Sequence, residues 1–133
     1  MSYPVFIEPP GGIPSQPANT TLIQVGFQYS LNWPFVSGNT AASNEIFQYL
    51  PIGIAYGLGI NVDQVTMYLL EEDNTEASLG YITTVALAYI PSTLVTTLAT
   101  DVNTPTSQLY NNPNSNVKEI VSFINPGVVP ITP

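Results

Sequence analysis

The chain reads as an α+β domain in which a small antiparallel sheet is packed by helices on one face. Three observations predict this. Ile23, Val25, Phe27, Tyr29 and Leu31 alternate with polar or small residues, the period-two signature of a half-buried strand. Two further alternating runs, Val65–Leu69 and Leu79–Tyr89, flank a short acidic connection, as an antiparallel hairpin requires. Between and after these runs, apolar residues recur at helical spacing.

Residues 3–19 are rich in Pro and Gly and predict an extended lead-in. The first strand follows and ends at Trp33-Pro34. Ser37, Asn39 and Ser43 are candidate caps for a helix carrying Ile46, Phe47, Leu50, Ile54 and Leu58, which exits at Gly57 and Gly59. Pro51 removes a donor in its middle and predicts a kink or two short helices. In the hairpin's second run the bulky residues (Leu79, Tyr81, Thr83, Val85, Leu87, Tyr89) share one face. Gly80, Thr84, Ala86 and Ala88 share the other, so something packs close to that side. Pro91-Ser92 opens a helix through Leu94, Val95 and Leu98, and Thr104-Pro105-Thr106 reads as a second start toward Leu109 and Tyr110. Val117, Ile120, Val121 and Ile124 fall on one helix face that stops before Pro126-Gly127. The order strand, helix, strand, strand, helix is that of a ferredoxin-like sandwich, with the tail as the source of a last strand. The expected organisation is a lead-in at 1–21, the folded domain at 22–127 and an extended tail at 128–133.

Composition narrows what such a domain does. A chain of 133 residues with 44% hydrophobic content is long enough to bury a core. Only 8% of the residues are charged, against roughly 25% in an average soluble domain, so Ser, Thr, Asn, Gln, Gly and Pro must wet the surface. That is the look of secreted and wall-associated proteins. Lys118 is the single basic side chain and the net charge is -8. Binding to nucleic acid or to an anionic membrane surface needs many more cations, so both are excluded as partners. With no His, Cys or Arg, the sequence lacks the usual proton shuttle, thiol nucleophile, zinc ligands and phosphate clamp. No catalytic, cofactor-binding or metal-binding residue is therefore assigned, and the expected activity is non-enzymatic.

Four features are candidates for contact. Asn19-Thr20-Thr21 is a sequon at the junction of lead-in and fold, where Asn19 would be an exposed glycan site. Tyr68, Trp33 and Tyr49 are the aromatics whose phase leaves them free to form a recognition surface, including one for cell-wall carbohydrate. Core packing accounts better for Tyr29, Phe47, Tyr81 and Tyr89. Glu71, Glu72, Asp73 and Glu76 form an acidic turn that is a candidate cation site, although a solvated charge run, fully ionised, explains them as well. The strand at 23–31 and the extended termini offer open edges for association.

Several ordered stretches carry a family resemblance: Phe27-Gln28-Tyr29-Ser30-Leu31-Asn32-Trp33-Pro34-Phe35-Val36, Glu45-Ile46-Phe47-Gln48-Tyr49-Leu50-Pro51, Ala88-Tyr89-Ile90-Pro91-Ser92, Leu109-Tyr110-Asn111-Asn112 and Ile124-Asn125-Pro126. Over roughly residues 22–130 the chain resembles the membrane-proximal ectodomain of fungal transmembrane signalling mucins. The order of elements is also similar to that of SEA domains. The resemblance implies a piece of a larger, membrane-anchored protein, a place outside the cell, and a sensor role upstream of mitogen-activated kinase cascades in osmotic or surface responses. Its partner would be another protein or a second copy. Many SEA domains cleave themselves at a Gly-Ser step in a hairpin, but the stretch from Glu71 to Leu79 contains none. The leading expectation is a sensor or interaction domain; the alternative is a self-assembling wall or matrix domain.

Overall fold

The structure, a computed structural model, describes residues 4–132; residues 1–3 of the expected lead-in and residue 133 of the expected tail lie outside them. Four strands, β1 (Phe6–Ile7), β2 (Thr20–Gly26), β3 (Thr66–Asp73) and β4 (Thr83–Pro91), form one antiparallel sheet in the order β1-β3-β4-β2. The helices are α1 (Trp33–Ser37), α2 (Thr40–Leu58), α3 (Glu76–Leu79), α4 (Val95–Val102) and α5 (Ser115–Ser122). The fold is α+β, as the sequence predicts. β2 and β3 run in the same direction on either side of β4, joined through α2, which makes a split β-α-β unit completed by the β3–β4 hairpin.

The helices share one sheet face. Trp33 and Val36 of α1, Ile46, Phe47, Leu50 and Ile54 of α2, Leu98 and Val102 of α4, and Ile120 and Val121 of α5 join Ile23, Val25, Leu70, Ala86, Ala88 and Ile90 of the strands in the main core. The small side of β4 is therefore the helix side. α2 is the long element of that layer. Asn39 starts it by accepting from the Ala42 amide at 3.1 Å, and left-handed Gly59 ends it, with Ile60 N–H bonded back to the Ala55 carbonyl at 3.0 Å. It runs through Pro51 as one helix of 19 residues rather than two short ones. An interior proline costs a helix about 3 kcal/mol. Here the flanking Leu50 and Ile54 are fully buried in the core, and their burial holds the helix together across the missing hydrogen bond.

Two glycines set how closely the rest of the layer approaches α2. A Cβ on Gly53 would lie 2.6 Å from Val121 Cγ1 of α5, and one on Gly57 would lie 3.0 Å from the Leu109 backbone. The segment opened by Thr104-Pro105 thus forms no helix of its own. It makes a single 3-10 turn, Gln108–Tyr110, pressed on α2 with Leu109 buried.

Both sheet edges are occupied by the chain's own ends. On one side Phe6 and Ile7 of the lead-in pair with Glu71 and Leu70, and the fully buried Trp33 donates from Nε1 to the Pro4 carbonyl at 3.0 Å. On the other, the tail runs along the outer edge of β2. Ile131 pairs with Ile23, Gln24 N–H donates to the Pro130 carbonyl at 2.8 Å, its side-chain amide to Val129 at 2.9 Å, and Thr132 Oγ1 to Leu22 at 3.1 Å. Gly26 leaves room for Val128, whose Cγ2 would lie 2.5 Å from a Cβ there. The edge expected to be open over 23–31 is filled.

The first strand is also shorter than its alternation predicts. It ends at Gly26; Phe27 makes an isolated bridge to Ile124, and Tyr29–Leu31 is a 3-10 turn. Phe27 and Leu31 stay buried, whereas Tyr29 is 67% exposed and stands edge-on to Tyr81 at 5.7 Å instead of entering the core.

Two measurements follow from this packing. Gly53→Ala should lower the unfolding free energy by about 1–3 kcal/mol through overpacking on Val121, despite alanine's better helix propensity. Combining it with Val121→Ala should cost less than the sum of the two single losses in denaturant melts. Truncation after Gly127 should destabilise the fold by about 2–4 kcal/mol, from a few lost hydrogen bonds and the Val128 contact. It should also produce concentration-dependent association in sedimentation velocity, because an unpaired strand edge recruits others.

Candidate interaction surface

The face of the sheet away from the helices is unusual. An antiparallel sheet with one solvated face normally presents polar residues there. In β4 the outward residues are instead Val85, Leu87 and Tyr89. Val85 and Leu87 form, with Leu69, a second apolar cluster onto which Leu22 and Tyr68 pack, and no helix residue joins it. Cross-strand register builds the cluster: Leu87 faces Leu69 and Gln24, Tyr89 faces Leu22, and Val85 faces Glu71. A register shift between Met67 and Leu69, in the manner of a β-bulge, lets Met67 and Leu70 both reach the main core while Tyr68 and Leu69 belong to the outer cluster. Tyr68 and Tyr89 stack edge-on at 5.5 Å.

This face holds a groove of about 340 Å³ lined by Leu22, Gln24, Val85 and Leu87, by Glu71, Glu72 and Asp73 of β3, and by Thr132 of the tail. Val85 and Leu87 are only 3% and 7% exposed, so they form its floor. Glu71, Glu72 and Asp73, the last three residues of β3, all line it. The acidic run is divided only at its end: β3 extends through Asp73, and Glu76 sits in α3 within the hairpin connection. Among the described residues no three His, Cys, Asp or Glu side chains converge to hold a metal ion. Three of the four carboxylates expected as a cation site thus share the groove without converging as metal ligands, and Glu76 is not among its lining. Nor are all four fully solvated. Burial pushes the Glu71 carboxyl above the ordinary carboxylate range, and the neighbouring Asp73 charge pushes it the same way.

The expected aromatic surface does not assemble either. Trp33 lies in the main core, and the half-buried Tyr49 packs against that core from α2. Only Tyr68 reaches the outer face. Tyr89, expected in the core, is buried on that outer face beside it. The small-against-bulky split of β4 was the available sequence signal for this surface; which side the helices would take was not written in it. Asn19 is exposed in a left-handed conformation, φ 60°, at the head of β2. The one cation, Lys118, is exposed on α5 in the helix layer. No helix among the described residues is long and apolar enough to cross a membrane.

Glu71 gives this surface a pH signature. A carboxyl raised in the fold favours folding below its unfolded value of about 4.3, and that contribution is lost as pH rises through the folded value. Glu71→Gln should therefore raise the melting temperature at pH 7. The gain should be small, since the carboxyl is partly exposed, and should vanish below about pH 4.

Comparison with known proteins places the chain. Residues 8–124 match the family model of the MSB2 C-terminal domain. The chain is 35% identical over 112 residues to the cell surface sensor MSB2 of Pyricularia oryzae, an alignment covering 80% of this chain and 14% of that protein. It is 27% identical over 135 residues to the signaling mucin MSB2 of Saccharomyces cerevisiae, covering 99% of this chain and 10% of the relative. It is 34% identical over 98 residues to the signaling mucin HKR1 of the same yeast, covering 74% and 5%. The chain thus spans about one seventh or less of each relative's length. No solved structure matches it. With 117 contiguous residues, from the lead-in to the residue that bridges Phe27, inside one family model, the chain belongs to the MSB2 C-terminal domain family.

Proposed function

We propose that this domain is a non-enzymatic, extracellular sensor or interaction module of a fungal cell-surface signalling mucin, acting upstream of a mitogen-activated kinase cascade. The observation that carries the reading is the match over residues 8–124, together with relatives named as a cell surface sensor and signaling mucins. The low charge density and the amide- and hydroxyl-rich surface support a place outside the cell. The sequence, without His, Cys or Arg, supports contact over catalysis. The groove on the outward side of the sheet, with an apolar floor and acidic wall, supports recognition of a protein partner. In this setting Asn19, exposed and clear of the groove, carries an N-linked glycan.

The test is an in-frame deletion of residues 22–127 from the full-length protein in its fungal host. Phosphorylation of the downstream kinase after hyperosmotic or surface stimulation should be lost although the protein still reaches the cell surface. A full response from the deletion would overturn the reading. Peptide mass spectrometry of the surface protein from the same host should find Asn19 glycosylated.

A further inference from the structure

We propose that the groove on the outward sheet face binds a cationic, extended segment of a partner protein, with aliphatic side chains on the Val85–Leu87 floor and an ammonium or guanidinium between Glu71 and Asp73. The inference rests on the interaction-module reading and names the chemistry of the partner.

The floor comes first. Leu22, Leu69, Val85 and Leu87 are drawn from three adjacent strands, and no helix among the described residues joins their cluster. A groove floored by a sheet suits an extended chain, whose side chains alternate with the same period as the strands beneath it. Charge then selects the occupant. Glu71, Glu72 and Asp73 line the groove at the end of the floor, and Glu71 is paired across the strands with Val85. The partly desolvated Glu71 carboxyl, pushed up by burial and by Asp73, meets no basic side chain among the described residues, since the single one, Lys118, belongs to α5. An incoming cation would supply what the fold withholds. A lysine or arginine suits the site at both ends, because its methylene stem packs on apolar surface while its head meets a carboxylate. A second copy of the chain is a poor occupant. It would bring another net charge of -8 to the same face.

The experiment titrates the isotopically labelled 133-residue chain with a short capped peptide alternating lysine and valine, and with its glutamate–valine counterpart. The lysine peptide should shift the amide resonances of Leu22, Gln24, Glu71, Val85 and Leu87, with affinity falling steeply as salt rises. Glu71→Gln with Asp73→Asn should weaken binding about three- to tenfold, as expected for two partly exposed ion pairs, without lowering the melting temperature. Glu45→Gln with Glu119→Gln removes the same charge from the helix side and should leave the affinity nearly unchanged. Equal weakening by both pairs would reduce the effect to the general acidic field and overturn the proposal. So would shifts confined to the helix layer, or preference for the glutamate peptide. Groove resonances that move with protein concentration alone would assign the face to a second copy instead. In the fungal host, a signalling loss on deletion of residues 22–127 with normal signalling from the Glu71→Gln, Asp73→Asn protein would sink this inference while leaving the proposed function standing.

Discussion

The central strand β4 pairs along both of its edges and sends two different surfaces to its two sides. On the helix side it presents Thr84, Ala86 and Ala88; on the other it presents Val85, Leu87 and Tyr89. Small side chains bring the helix layer close, so the main core is filled by the large residues of α2 and β2, with Trp33 and Phe27 at full burial. The same alternation leaves bulk on the open face. Everything about the candidate surface follows from that asymmetry.

The second constraint is edge management. A sheet with two bare edges would recruit other chains. Here the N-terminal segment pairs with β3 and the C-terminal segment with β2, so chain ends that look like linkers are structural parts of the sheet. The prolines in them keep each contribution short: β1 has two residues, and the tail between Pro126 and Pro130 reaches β2 through single bridges and side-chain amides rather than a continuous ladder. Trp33 ties this arrangement to the core, its indole N–H consumed by the Pro4 carbonyl.

Much of this was legible in the residues. The alternation at Ile23–Val25 and Val65–Leu69, the Asn39 cap, the Gly59 exit and the Val117–Val121 stripe all name their elements, because local periodicity and capping chemistry act over a few residues. The misreadings share a cause. Tyr29 keeps the strand's phase, yet β2 ends at Gly26 and Tyr29–Leu31 has already turned into a 3-10 helix. Pro51 signals a break that core burial overrides. Trp33 has a phase that leaves it free, yet it is fully buried in the main core with its indole N–H bonded to the Pro4 carbonyl. Glu71, Glu72 and Asp73 read as part of a turn, yet they are the end of β3 and line one groove.

By itself, then, the sequence determined the class of fold, the character of the surface and the poverty of catalytic groups, because composition and short-range periodicity carry those directly. Tertiary structure decided three other things: which face of the sheet the helices took, how the termini closed the edges, and how Glu71 and Asp73 came to stand over an apolar floor with no basic side chain of the described residues beside them. Those depend on pairing between residues tens of positions apart in the chain, such as Glu71 with Val85 or Gln24 with Pro130, and no local pattern encodes them.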